Sequence, residues 1–169
     1  MTFKKSPLQS KRDYKIIAMD LLARREHSRR ELINKLKVRG FAGEEVESYL
    51  DRLADRGLQS DERFAESYIR MRVMAGYGPI RVNQELTQKG ILEPTINRLF
   101  EQMEIDWFRV ALAVWQKKYN QLPANDLKLR AKQSRFLQYR GFDFDTINAV
   151  FSHNPADYTT GNDDHGFGY

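Results

Sequence analysis

Leu36-Lys37-Val38-Arg39-Gly40-Phe41, Leu86-Thr87-Gln88-Lys89-Gly90-Ile91 and Leu137-Gln138-Tyr139-Arg140-Gly141-Phe142 are three versions of one phrase. Their glycines stand 50 and 51 residues apart. Each has a leucine four places before it, a cation one place before and Phe or Ile one place after. The match runs on, with Val46, Ile96 and Ile147 six residues after the glycines and Leu50, Phe100 and Phe151 ten after. Leucine, cation, glycine and apolar residue in that order is how an α-helix stops, because glycine enters the left-handed region cheaply. Recurrence at a fixed period means a repeated structural unit.

Outward from those stops the apolar spacing is helical. Tyr14, Ile17, Ala18, Leu21 and Leu22 form one stripe, and Leu32, Ile33 and Leu36 another, on a helix of about Arg29 to Arg39. Ser28 with Glu31 has capping-box spacing, in which serine takes the Glu31 amide and the glutamate reaches back to the cap. A third helix runs from about Gly43 to Arg56 with Val46, Tyr49, Leu50 and Leu53 inward. The grammar recurs from Ser60, with Phe64, Tyr68, Ile69 and Met71 on the inward stripe of a helix ending near Ala75. Gly76-Tyr77-Gly78-Pro79 then sets proline in the first turn of a helix carrying Val82 and Leu86. A short helix from Glu93 to Met103 follows. In the third round a helix marked by Trp107, Val110, Ala111, Val114 and Trp115 is followed by the loop Asn120–Asn125. Helices of about Asp126–Arg140, with Leu129, Phe136 and Leu137 buried, and about Asp145–His153 complete it.

The expectation is an all-α chain, an elongated tandem array of three three-helix repeats at 12–57, 58–105 and 106–153. A flexible N-terminus (1–11) and a mobile tail (154–169) flank it. Units of this size are small for independent cores, so neighbours should pack.

Composition narrows function. No run of about 18 apolar residues could span a membrane, the N-terminus lacks a secretion signal, and the chain has no cysteine. Disulfides, cysteine zinc sites and thiol nucleophiles are thereby excluded, and the cytoplasm is the default location. His27, His153 and His165 have no partners at metal-ligand spacing, and no P-loop or nucleophile elbow appears. Gly76-Tyr77-Gly78-Pro79 lacks the following Lys-Ser/Thr and a preceding strand. No catalytic residue, metal or cofactor is expected; the chain reads as a binding protein rather than an enzyme.

The net charge is +5 and unevenly placed: residues 1–57 hold 14 basic against 9 acidic side chains, 58–105 hold 6 against 7, and 106–169 hold 8 against 7. Arg30, Asn34 and Lys37 share a face opposite Leu32, Ile33 and Leu36. Arg81, Gln84 and Gln88 lie across from Val82 and Leu86. Lys128, Lys132, Arg135 and Tyr139 form a stripe with no acid between Lys128 and Arg140. Such stripes suit phosphate contacts, which need charge and reach more than shape. The bland reading is a solvated face with local pairs, such as Glu31–Lys35 and Arg81–Glu85. Phe64, Trp107, Trp115 and Phe136 sit at core spacing rather than as base-stacking platforms.

Ser60-Asp61-Glu62-Arg63-Phe64-Ala65-Glu66-Ser67-Tyr68-Ile69, then Gly76 through Leu86, then Lys89-Gly90-Ile91 resemble the central block of the RecX family, small bacterial regulators of the RecA recombinase. Ser28-Arg29-Arg30-Glu31-Leu32 and Arg135-Phe136-Leu137 support the resemblance, which covers about residues 12–152. It implies a monomeric, non-enzymatic modulator, mainly an inhibitor, that lies along the groove of the RecA–single-stranded DNA filament. Strand exchange and ATP turnover would be suppressed, and with them recombination, DNA repair and the SOS response regulated. Candidate contacts to filament or DNA, single-stranded first and double-stranded second, are Arg30, Lys37, Arg81, Lys128, Lys132 and Arg135. Gly76, Tyr77, Gly78 and Pro79 match the family motif and read as structural. Two other readings stay open: a stand-alone DNA-binding protein of helix-turn-helix-like repeats, whose basic faces lack a common base-reading set, and a pure interaction scaffold.

Overall fold

The computed structural model describes residues 13–119 and 126–153. These carry nine helices: α1 (Tyr14–Arg24), α2 (Arg29–Lys37), α3 (Glu44–Asp55), α4 (Asp61–Met74), α5 (Pro79–Gln88), α6 (Glu93–Gln102), α7 (Trp107–Tyr119), α8 (Leu127–Tyr139) and α9 (Phe144–Ser152). Among the described residues there is no strand. The N-terminal stretch, the loop Asn120–Asn125 and the tail expected from sequence lie outside the described residues.

The repeated phrase has a physical cause. Gly40, Gly90 and Gly141 have φ of 87°, 89° and 91°. Around Gly40 the Phe41 amide donates to the Leu36 carbonyl at 3.0 Å and the Gly40 amide to Lys37 at 2.9 Å. Ile91 to Leu86 with Gly90 to Thr87, and Phe142 to Leu137 with Gly141 to Gln138, repeat the pair. This six-to-one, five-to-two pattern caps the last carbonyls of α2, α5 and α8. The leucine of each phrase supplies the outer acceptor and a fully buried side chain. Helix starts are equally local: Asp13, Ser28, Asp126 and Asp143 each accept from an amide of the first turn.

The chain divides into two compact units. One holds the described residues up to Ile69 together with Glu85–Leu99; its core joins Ala18, Leu32, Leu36, Val46, Leu50 and Leu53, with Tyr14, Phe41 and Tyr49 against them. The other holds Arg70–Gln84 and the described residues from Phe100 onward; Ala111, Leu112, Trp115, Leu137, Phe142 and Ile147 fill its centre. There the Trp115 Nε1–H donates to Oε1 of Gln133 at 2.9 Å, so the one buried amide of α8 is used. α4, α5 and α6 are each shared between the two units.

Four sequence expectations need correction. Met71 is 51% exposed: α4 turns Phe64, Ala65 and Ile69 inward, and Met71 lies off the centre of that stripe. Leu129 is 40% exposed although it lies on the inward face, because α8 is exposed all round from Leu127 to Lys132 and burial begins only at Gln133. Ser28 does accept from the Glu31 amide at 3.1 Å, but the Glu31 carboxylate does not turn back to the cap. Nor does it pair with Lys35: its two oxygens lie on Arg25 Nη1 at 3.1 Å and Lys89 Nζ at 2.7 Å.

Candidate binding surfaces

On α8, steps of four, three and four residues turn Lys128, Lys132, Arg135 and Tyr139 onto one face. All four are exposed, Tyr139 at 75%. Asp126, the cap before α8, spends its side chain on the Lys128 amide at 3.1 Å. Arg135 Nε makes a long contact, 3.3 Å, with the Ala131 carbonyl. The helix itself holds no acid. Arg130, which the stripe reading missed because it points off that face, places its guanidinium 5.1 Å from the Phe151 ring.

Arg81 joins the ridge from another helix. Its guanidinium lies 5.2 Å from the Tyr139 ring and donates to the Tyr139 carbonyl at 3.2 Å. It also stands 5.0 Å from the Tyr77 ring, which has Arg72 at 3.6 Å and Arg140 at 5.1 Å. Arg81 is half-buried, so it is a support of the ridge as well as a cation on it.

The Gly76–Pro79 motif docks on the end of α8. The Gly78 amide donates to the Arg140 carbonyl at 2.8 Å and the Ile80 amide to Gly141 at 3.1 Å. Arg140 Nη1 returns bonds to the carbonyls of Ala75 (2.8 Å) and Gly76 (3.1 Å). A Cβ on Gly78 would run into the Gly141 carbonyl and the Phe142 ring, and one on Gly76 into Val114. The first unit has a counterpart: Ser28 Oγ donates to the carbonyl of Lys89, the residue that precedes Gly90 as Arg140 precedes Gly141. Reading the motif as a helix break found its conformation and missed its partner; the shared cation column before the stop glycines was the available signal.

Arg30 and Lys37 are exposed on α2, in the first unit. Arg30 lays its stem on Gly90 and reaches the Gln88 carbonyl at 3.4 Å. Beside it Glu31, Asn34, Tyr68, Glu85 and Lys89 line a hollow of about 390 Å³. Burial pushes the Glu31 carboxyl up, but hydrogen bonds from Lys89 and Arg25 outweigh it and hold it below its ordinary value. Tyr68 donates to Glu85 at 2.9 Å. This hollow is internally paired, unlike the α8 ridge. Among the described residues no cluster of three metal-ligating side chains occurs, and no helix is long and apolar enough to cross a membrane.

Profiles described as RecX, first, second and third three-helix domain, match residues 15–53, 60–98 and 104–151. The regulatory protein RecX of Pseudomonas putida is 46% identical over 140 residues, covering 83% of this chain and 90% of its own length. The chain belongs to the RecX family. The regulatory protein RecX of Ectopseudomonas mendocina is 48% identical over 133 residues, 79% of this chain and 89% of that one. In fold, this RecX-family chain is similar to the crystal structure of RecX from Lactobacillus salivarius. The TM-score is 0.68 at 22% identity, covering 81% of this chain and 91% of the other. A second structure, described as regulatory protein RecX, gives 0.67 at 25% identity over 83% of this chain and 72% of that one. The motif Gly76–Pro79 falls within the second matched RecX segment and Lys128–Tyr139 within the third. Residues 154–169 lie beyond all three.

Proposed function

We propose that this chain is a non-enzymatic regulator, mainly an inhibitor, of the RecA recombinase in the bacterial cytoplasm. It binds the RecA–single-stranded DNA filament along its groove as a monomer, suppressing strand exchange and ATP turnover. The observation that carries the reading beyond the family name is the α8 ridge: exposed Lys128, Lys132 and Arg135, without an acid on the helix, flanked by exposed Tyr139. Long cations on a solvated helix suit phosphates or an acidic protein surface, and they read no bases. Arg30 and Lys37 offer a second cationic face, and Arg81 extends the first.

The test is co-sedimentation with RecA on single-stranded DNA together with RecA's DNA-dependent ATPase. Wild type should sediment with the filament and lower the rate at or below equimolar ratio to RecA. Lys128→Glu/Lys132→Glu/Arg135→Glu should do neither at that concentration. An unchanged ATPase with folded wild-type protein refutes the regulator reading. If the ridge variant keeps full activity, the scaffold reading gains and the ridge is not the contact. A salt-sensitive shift of duplex DNA with sequence preference and no effect on RecA would favour stand-alone DNA binding.

A further inference from the structure

The second unit contains a hollow of about 640 Å³, lined by the end of α4, by α7 and by Phe136 and Arg140 of α8. Three of its residues, Arg109, Ala113 and Lys117, stand four apart on α7 and so form one row along the helix. All three are exposed. The row reads cation, small residue, cation, and Ala113 leaves room in the middle. Val110 and Val114 flank it on the same helix, and Val73 and Phe136 extend the apolar lining. Met74 is 88% exposed there, and its unbranched thioether can fold over whatever enters. Every charged residue among the lining is a cation: Arg109, Lys117, Lys118 and Arg140. Arg109 pairs with exposed Asp106 at 3.3 Å, a contact that an incoming carboxylate replaces at little cost. Arg140 is bonded to backbone carbonyls, which do not cancel its charge.

An apolar middle between cationic ends selects the chemistry of its occupant. Arg109 to Lys117 spans roughly 12 Å of helix axis at about 1.5 Å per residue. In an extended peptide alternate side chains face one way, and its first and fifth residues stand roughly 13 Å apart at about 3.3 Å per residue. An acid at the first position, a large apolar residue at the third and an acid at the fifth therefore meet Arg109, Ala113 and Lys117 in turn. Lys118 and Arg140 add to the field that holds the carboxylates. A single-headed amphiphile leaves one cationic end unmatched. A nucleic-acid strand also fits less well, because its bases need an open aromatic face. The Phe136 ring already has Lys118 at 3.9 Å, Arg140 at 5.2 Å and the Tyr119 ring edge-on at 5.7 Å.

We propose that this groove docks an extended acidic peptide of a partner protein, with the pattern acid, any residue, large apolar residue, any residue, acid. The apolar side chain sits over Ala113, and the two carboxylates lie on Arg109 and Lys117. The α8 ridge attracts charge with little demand on shape; the groove adds a demand on shape and so distinguishes one acidic partner from another.

The probe is the fluorescein-labelled peptide Ser-Asp-Ser-Leu-Ser-Asp-Ser, titrated with the full chain at low salt and read by fluorescence anisotropy. Binding should saturate, and a probe with serine for the leucine should bind at least about tenfold more weakly, the low end of what burying one leucine contributes. Asparagine in place of both aspartates should weaken it severalfold. On the protein, Ala113→Phe fills the middle of the row and should cost at least about tenfold. Lys117→Glu/Lys118→Glu should cost severalfold. All three positions are exposed, and an unchanged Tm shows that each variant is folded. Arg39→Glu/Arg56→Glu makes the same change in net charge at exposed positions of the first unit and should bind the probe like wild type. Absence of saturable binding overturns the proposal, as does equal affinity for the leucine and serine probes. An equal loss in the Arg39/Arg56 control means attraction by net charge alone and overturns it too. So does oligo-dT binding, or self-association in sedimentation, that excludes the probe and is abolished by Ala113→Phe. Neither RecA nor a filament is present, so this result is independent of the RecA reading.

Discussion

Because the Gly78 Cα faces the Gly141 carbonyl and the Phe142 ring, a methyl group there has backbone on one side and a core ring on the other. Gly78→Ala must therefore shift the loop or the cap of α8, and we expect a loss of about 3 kcal/mol, the upper range of overpacking. For a domain of this size that is a fall in Tm of roughly 6–12 °C, read by thermal denaturation. The three stop glycines form a graded series on the same instrument. All share a positive φ, which costs an alanine about 1–2 kcal/mol. Around Gly40 nothing lies within 4 Å, Gly90 meets the flexible stem of Arg30, and Gly141 meets the Arg81 backbone. Alanine should cost least at 40, more at 90 and most at 141; equal costs would mean that φ alone decides. Titration supplies a third residue-scale outcome. His27 is buried, with Nδ1 3.0 Å from the Arg25 carbonyl, and burial pushes its imidazole below the ordinary 6.5. The unfolded chain then takes up a proton first, so stability falls as pH drops through 6.5 and onward to the lower folded value. Glu31 is held below 4.5, so its contribution is present above that pH and is lost as pH falls further. Denaturant midpoints measured from pH 8 to 4 should decline from near 6.5, and His27→Gln should flatten the first part of that decline.

At the scale of the element, α8 is two helices in one. From Gln133 onward it is anchored by Gln133, Leu137 and its glycine cap; from Leu127 to Lys132 it stands in solvent. Leu137→Ala should cost about 2–5 kcal/mol, whereas Leu129→Ala should cost well under 1 kcal/mol. Chemical denaturation of the two variants checks this, and comparable losses would show that the first turns are packed after all. The two leucines show what sequence could and could not tell. Period, caps and stops are local physics, so the positions of all nine helices were legible from Ser28, Gly40 and their counterparts. Periodicity also put Leu129 on the inward face. Whether a core reaches that far along the axis depends on what packs opposite, which no window of α8 contains. The same limit hid the site's supports. Lys128, Lys132 and Arg135 could be aligned from their spacing alone, but Arg81 beside Tyr139 and Gly78 on Arg140 are contacts between residues some 60 apart in the chain.

For the whole molecule, the question is whether both units take part in binding. Arg30 and Lys37 belong to one unit, and Arg81 with the α8 ridge to the other. The contacts of Arg30 with Gln88 and Gly90 share no residue with those of the ridge, Ala131 and Arg81. Perturbations without shared partners add in free energy. If the chain lies along a filament, Arg30→Glu/Lys37→Glu and Lys128→Glu/Lys132→Glu/Arg135→Glu should each weaken filament binding, and the combined variant should weaken it by the product of the two factors. If only one unit makes contact, one set is silent and the combination adds nothing. Salt identifies what the cations touch. Each phosphate neutralised on single-stranded DNA contributes about −0.7 to the slope of log K against log salt. Loss of three such contacts should shallow the slope by about 2 in the ridge variant and by about 1.4 when Arg30 and Lys37 are reversed. Cations that meet acidic protein surface release fewer condensed ions, so a ridge variant that loses affinity at an unchanged slope places α8 on protein rather than on DNA. Binding measured by fluorescence anisotropy on labelled RecA–oligo-dT filaments between 50 and 300 mM salt, on the order of the usual working range, separates these outcomes with one instrument.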